Sequence, residues 1–200
     1  MKRLLLLVLL VSSTVFAQNK EAIKEIKEHQ KELNTQFKTE GKSPLTEKDR
    51  KHFKALDFFD IDLSYRVEAN FVRTKDEASF KMKTSTDRLP EYVKYGELHF
   101  KLKGKKLKLN VYQNVKLIEK EEYKDYLFIP FTDLTNGETS YGGGRYIDFK
   151  KPFQNNVVLD FNKSYNPYCA YSGRYSCPIP PIENHLLVEV TAGVKKFNKH

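Results

Sequence analysis

The chain has 200 residues, with 35 Lys and Arg against 26 Asp and Glu and a formal net charge of +9. Two cysteines and five scattered histidines exclude a cysteine-rich metal or cluster protein. No Ser/His/Asp motif, HExxH, nucleophile elbow, phosphate-binding loop or dinucleotide fingerprint occurs, so the sequence calls for no cofactor and no metal.

The N-terminus sets the expected compartment. Lys2 and Arg3 precede an apolar run from Leu4 to Val11, then small residues and "VFAQ". This order reads as a secretory signal, 1–17, cleaved after Ala17. The run falls short of the roughly 20 residues that span a bilayer, although an uncleaved anchor is the alternative. The expectation is export to the periplasm or the extracellular medium, with no transmembrane segment in the mature chain and no nucleic-acid partner. Removing Lys2 and Arg3 leaves about +7 on some 180 residues, the size of one domain. That charge suits a small anionic ligand or an anionic envelope component, but the lysines alternate with Glu and read equally as a solvated surface.

Residues 18–42 form an expected helical arm. Ile23, Ile26, Leu33 and Phe37 recur at helical spacing, and Lys24 and Glu28 stand four apart. Gly41 ends the arm. Thr46 caps a second short helix, opened by Glu47 and Asp49, with Phe53 and Leu56 turned inward.

A β-rich domain, 43–196, follows, with a tail at 197–200. From Asp62 the period becomes two: Leu63, Tyr65, Val67, Ala69 and Phe71 share one face, Arg66 and Glu68 the other. "ASFKMKTS" continues this style with Phe80 and Met82. In "ELHFKLKGKKLKLNV", a turn at Gly104-Lys105 sets Leu102 against Leu107, Phe100 against Leu109 and Leu98 against Val111. Lys101 then faces Lys108 and Lys103 faces Lys106. This is either a basic stripe for an anion or a solvated face that discourages edge pairing. Further strands are expected at Tyr126–Phe131, Arg145–Phe149, Val157–Phe161 and Leu186–Thr191. The fold class is mainly β (α+β): an antiparallel barrel-like sheet or sandwich with N-terminal helices.

Chemistry-bearing residues gather in the last third. Asp133, Thr139, Tyr141 and Arg145 surround a run of three glycines, read either as an anion-binding loop anchored by Arg145 or as a hairpin connection. Asp160 and Asn162 project from one strand face, where they orient a ligand, coordinate a hard cation, or cap the "SYNP" turn. Asn162-Lys163-Ser164 also matches a glycosylation sequon. Unlike charges in buried β corners need partners, so Arg145 and Asp160 are expected to meet. In an oxidising compartment Cys169 and Cys177 read as a disulfide closing a short loop, worth about 2.5 kcal/mol in the chain-entropy model.

Three stretches, "PLTEKDRKHFKALDFFDIDLSYRVEANF", "LFIPFTDLTNGETSYGGGRYIDF" and "VVLDFNKSYNPYCAYSGRYSCPIPPIENHLLVEVTAG", together resemble the domain of unknown function 1684 found in many bacterial proteins. The resemblance covers roughly Ser43 to Lys195. Its pattern falls on Asp133, Thr139, Gly144, Arg145, Tyr146, Asp160, Asn162, Tyr165, Asn166, Pro167, Cys169, Cys177, Pro178, Glu183 and Asn184. The chain departs from it at Ser140, inserted between Thr139 and Tyr141, and at Val194, where the family has Glu. The resemblance implies a recurrent fold and carries no catalytic or binding assignment.

These observations give a leading expectation of an exported binding module for a small ligand or envelope component. The candidate site joins Asp133, Thr139, Tyr141, Arg145, Asp160, Asn162, Tyr165, Asn166, Glu183 and Asn184, with tyrosines as walls. The alternatives are an envelope hydrolase or lyase using Glu183 or Asp160 as general acid/base, and a purely structural interaction protein.

Overall fold

The computed structural model describes the backbone of residues 2–197 and the side chains of 18–197. The side chains of the expected signal sequence, 1–17, and the tail residues 198–200 lie outside the described residues. Helix α1 (Lys2–Lys38) is continuous. It buries Ala22, Ile26 and Phe37, one stripe of a helical surface. Polar contacts fasten the same helix: Glu25 meets Arg66 at 3.3 Å and Lys163 at 3.5 Å. Lys24 pairs back with Glu21 at 3.7 Å. Among the described residues, no helix is long and apolar enough to cross a membrane.

Helix α2 (Glu47–His52) begins at Thr46, whose hydroxyl oxygen accepts the Asp49 N–H at 3.2 Å. The helix is over before Phe53, so Phe53 and Leu56 reach the interior from the following loop.

The strands are β1 (Arg66–Arg73), β2 (Phe80–Lys81), β3 (Glu91–Leu102), β4 (Lys105–Asn114), β5 (Tyr126–Asp133), β6 (Arg145–Lys150), β7 (Asn156–Asp160) and β8 (His185–Leu186). They form a mostly antiparallel, curled half-barrel in the order β6-β5-β4-β3-β1-β7, with β2 beside β3 and β8 parallel to β5. The chain leaving β7 crosses to the opposite edge, where Tyr165 and Tyr146 of β6 exchange backbone hydrogen bonds of 3.0 and 2.9 Å.

The β3–β4 register differs from the sequence expectation by two residues. Phe100 opposes Leu107 and Leu98 opposes Leu109, because the turn is Lys103-Gly104. Both turn residues have positive φ, +48° and +79°, which is the type I′ hairpin suited to twisted strands. A slip of two keeps every side chain on its face, so the apolar face is unchanged. Lys101 now opposes Lys106, while Lys108 opposes His99 and bonds Glu97 at 2.9 Å. Hydrogen bonds from Lys94 and Lys108 hold the Glu97 carboxyl down at about 2. The lysine stripe is therefore partly neutralised within the sheet.

The main core fills the inside of the curl: Leu98, Leu109, Val111, Leu127, Ile129, Phe131, Leu159 and Phe161 are all at most 1% exposed. The expected strand Leu186–Thr191 is a ladder only at β8. Beyond it the period of two persists, burying Val188, Val190 and Ala192 in that core, but the segment is held mainly by side chains.

A β-carbon at Gly193, which sits at φ +79°, would lie 2.5 Å from Ser164 O and 2.9 Å from Phe161 O. Gly137, at φ +89°, has nothing within 4 Å. Gly193→Ala should therefore lose more than about 2 kcal/mol and Gly137→Ala only about 1. Urea unfolding reads the difference as a larger fall in midpoint at constant slope.

Candidate functional site

Alternation along β6, which carries the expected site residue Arg145, sends its side chains to two faces. Arg145 and Ile147 point into the core; Tyr146 and Asp148 point the other way. Arg145 is completely buried. Its Nη2 donates to Asp133 Oδ2 at 2.9 Å and to Val190 O at 2.7 Å, and its Nη1 donates to Ala192 O. Asp133 Oδ1 accepts the Val190 N–H at 3.1 Å and both the N–H and hydroxyl of Thr135. Burial lowers the Arg145 pKa and the adjacent Asp133 opposes that shift. Both carboxylate oxygens and both Nη atoms are thus engaged within the protein, and buried Arg145 Nε is the one polar atom of the pair without a partner.

Asn184 is equally occupied. Extending the β4–β5 register from Tyr112–Phe128 would set Asn110 opposite Pro130, which has no N–H to offer. The Asn184 side chain fills that gap. Its Oδ1 accepts the Asn110 N–H at 2.8 Å, and its Nδ2 donates to Asn110 O at 2.9 Å and Pro130 O at 2.7 Å.

Asp160 and Arg145 each have a different partner from the one expected. Asp160 meets Arg66 at 3.1 Å and caps the turn by accepting the Asn162 N–H at 3.0 Å. Asn162 is buried, and its amide accepts from Asp62 N at 3.1 Å and donates to Asp62 O at 3.0 Å, so the sequon asparagine is enclosed. Glu183 is exposed beside Tyr112 of β4, with β1 and β3 between it and Asp160 of β7. Thr139 is exposed, and its carbonyl accepts the Lys196 N–H. Gly144, at φ +88°, packs where a β-carbon would be 2.7 Å from Phe131 O, so the glycine run serves a close hairpin connection.

The expected disulfide is not formed; Cys169 and Cys177 are free thiols. Their sulfurs are used as hydrogen-bonding groups. The Cys169 N–H donates to Cys177 Sγ at 3.1 Å, and the Tyr141 hydroxyl lies 3.8 Å from Cys169 Sγ. The hydrogen bond from the Cys177 thiol favours the Cys169 thiolate, and Cys177 is correspondingly pushed up.

The other face of β5 and β6 carries a cavity of about 420 Å³. Its floor is Tyr126 and Phe128 of β5, Tyr146 and Asp148 of β6, and Tyr92 of β3. The segment 165–178 supplies one wall, with Tyr165, Asn166, Tyr168, Tyr171, Tyr175 and Cys177. Helix α1 supplies the other, with His29, Leu33, Gln36 and Phe37. Seven of the chain's 12 tyrosines line this one space. Tyr146 stands edge-on to Phe128 (4.6 Å, 73°) and to Tyr165 (5.9 Å, 90°), so the three rings form a corner.

Among the described residues, Asp148 is the only Asp or Glu lining the cavity, and no Lys or Arg lines it. Its Oδ1 accepts hydrogen bonds from Tyr126 at 2.7 Å and from Tyr165. Burial, reinforced by Asp148, raises both phenol pKa values, so both hydroxyls remain donors. His29 is pushed the other way, chiefly by burial and then by Lys163, and its Nε2–H donates to Lys163 O at 3.1 Å. Among the described residues, no group of three His, Cys, Asp or Glu side chains is placed to hold a metal.

Of the ten expected site residues, the cavity takes only Tyr165 and Asn166. Sequence reasoning missed Asp148 and most of the aromatic floor. The signal was present: "YLFIPF" and "RYIDF" carry apolar or aromatic residues on both strand faces, the mark of a sheet covered on both sides.

The two faces predict different mutant behaviour. Arg145→Met leaves the Asp133 carboxylate buried beside an apolar chain and should lower stability by about 3–5 kcal/mol. Asp148→Asn keeps an oxygen for both phenols and should shift stability by less than about 1 kcal/mol. Thermal unfolding of the two variants checks the contrast.

Residues 51–195 match the family model described as "Protein of unknown function (DUF1684)". No curated protein matches. Among solved structures, the chain is similar to the solution NMR structure of the uncharacterized protein from gene locus rrnAC0354 of Haloarcula marismortui. The identity is 33%, over 92% of this chain and 99% of that one, with a TM-score of 0.71. A family match over the β-rich domain, with the same fold at this identity, makes the chain a member of the DUF1684 family.

Proposed function

We propose that the chain is an exported, single-domain binding module whose site is the aromatic cavity between α1 and the outer face of β5 and β6. The observation that carries this reading is the convergence of seven tyrosines on about 420 Å³ with a single carboxylate. Ligand sites are typically concave, mostly apolar spaces of about 300–1,000 Å³ with a few placed polar groups. Export rests on the charged, apolar and small-residue order of 1–17.

The expected Asp133, Arg145 and Asn184 cluster has no part in this proposal, because its polar groups are engaged in holding β5 and the C-terminal segment. The hydrolase or lyase alternative has no support from Asp160 and Glu183: Asp160 ends β7 and is paired with Arg66, while Glu183 lies in the 3-10 turn Ile182–Asn184 beside β4. The anionic ligand expected from the composition meets no Lys or Arg in the cavity lining.

The uncharged probe N-phenyl-1-naphthylamine should gain fluorescence on binding wild-type protein. It should lose that gain in Leu33→Trp, where a larger side chain on α1 fills the cavity. No gain in wild type, or an equal gain in a folded Leu33→Trp variant, overturns the site. For export, mass spectrometry of protein expressed from the full chain should find a mature form beginning at Gln18 outside the cytoplasm. An intact cytoplasmic chain rejects that part.

A further inference from the structure

We propose that the ligand of this cavity is an organic cation, an ammonium group carried on an apolar body. The inference rests on the reading that the cavity is the binding site and adds the chemistry of what enters it. The chain is basic, with 35 Lys and Arg, yet among the described residues no Lys or Arg lines this space. The one charged group that does is Asp148, and Asp148 is exposed to it.

The carboxylate is held in a manner that leaves it a task. Tyr126 and Tyr165 both donate to Oδ1. Neither phenol supplies a positive charge, and both remain donors because burial disfavours their ionised forms. No described residue bonds Oδ2. The two hydrogen bonds therefore orient Asp148 without neutralising it. His29, across the cavity on α1, is kept towards its neutral form by burial and by Lys163, so it does not cancel the charge either.

The walls favour the same ligand. Aromatic rings attract cations through their negative faces, and several rings around one space make the arrangement that receives alkylated ammonium groups. Phe128, Tyr146 and Tyr165 meet at steep angles, so an entering group touches rings from more than one direction. An anion would face the Asp148 charge. An uncharged ligand would strip water from that carboxylate with nothing to replace it. A small metal ion needs six or more oxygens if it is calcium; the cavity offers one carboxylate, with phenols and the side chains of Gln36, Asn166 and Ser176, and among the described residues no group of three His, Cys, Asp or Glu side chains is placed to hold a metal.

The test uses the soluble full-length mature protein and an isosteric pair, choline and 3,3-dimethylbutan-1-ol, which differ in the charged nitrogen. Benzyltrimethylammonium serves as a larger cation and benzenesulfonate as an anion. Isothermal titration and displacement of N-phenyl-1-naphthylamine should both rank the cations ahead of the uncharged isostere by about tenfold or more. Benzenesulfonate should be the weakest. Asp148→Asn, checked as folded by circular dichroism, should abolish the preference for choline over its isostere.

Equal affinity for the isosteric pair, or a preference that survives in Asp148→Asn, overturns the cation assignment while leaving the cavity as a site for uncharged ligands. Failure of the uncharged probe and of every cation to bind overturns the site itself.

Discussion

The buried Arg145–Asp133 pair is the interaction on which the C-terminal third depends. A charged pair in a dry core needs its remaining hydrogen-bonding capacity filled. Here backbone fills most of it: the carbonyls of Val190 and Ala192 accept from the two Nη atoms of the guanidinium, and the Val190 N–H donates to the carboxylate, while Arg145 Nε is left without a partner. The pair thus replaces a sheet ladder. Residues 188–192 alternate as a strand does and bury Val188, Val190 and Ala192, although no ladder runs beside them. The segment then reaches Gly193, where the chain passes within contact of Ser164 and Phe161, and Val194, which joins the cluster of Phe37, Leu56 and Tyr171 beneath α1. A valine suits that position because the cluster is apolar.

A second constraint prepares the first. Pro130 interrupts pairing between β4 and β5, and Asn184 bridges the gap with its side chain. Immediately past this point β8 takes up pairing with Thr132 and Asp133, which steers the chain towards Arg145. A proline without an N–H, an asparagine with both amide ends used, and a buried ion pair therefore act in sequence along one strand. Each is a polar group kept inside the protein by a geometric need of the backbone.

These same residues mark the limit of what was legible beforehand. The alternation of β1, β3 and β7 set the core face, and Thr46 set the start of α2, because both follow from local chemistry. The β3–β4 turn was misplaced by one residue, which shifts the register by two, since "LKGKKL" admits glycine at either turn position and only the backbone dihedrals separate them. Asp133, Arg145, Asn162 and Asn184 stood out as polar residues among strands. Sequence cannot distinguish a polar side chain that faces a ligand from one that satisfies a neighbouring carbonyl, because the difference lies in contacts between residues 45–100 positions apart. The cavity was hidden for a related reason. Its walls come from α1, β3, β5, β6 and segment 165–178, and no short motif contains them.

The division of labour between the two faces of β6 explains how one short strand supports both stability and a site. Arg145 and Ile147 secure the core, and that rigidity fixes the directions of Tyr146 and Asp148 on the opposite side. Tyr146 is further held by its backbone bridge to Tyr165 and by the hydrogen bond from its hydroxyl to Pro178 O. The aromatic corner is consequently built on a strand anchored at both faces and not on a free loop. Helix α1 completes the enclosure through contacts of another kind: His29 to Lys163 O, Gln36 to the Tyr168 hydroxyl, and Asn34 Oδ1 accepting the Leu56 N–H at 2.7 Å. These are single polar contacts, individually modest in water. The floor of the cavity is therefore set by the sheet, while the helix that covers it is held by contacts that a ligand beneath it can strengthen or strain.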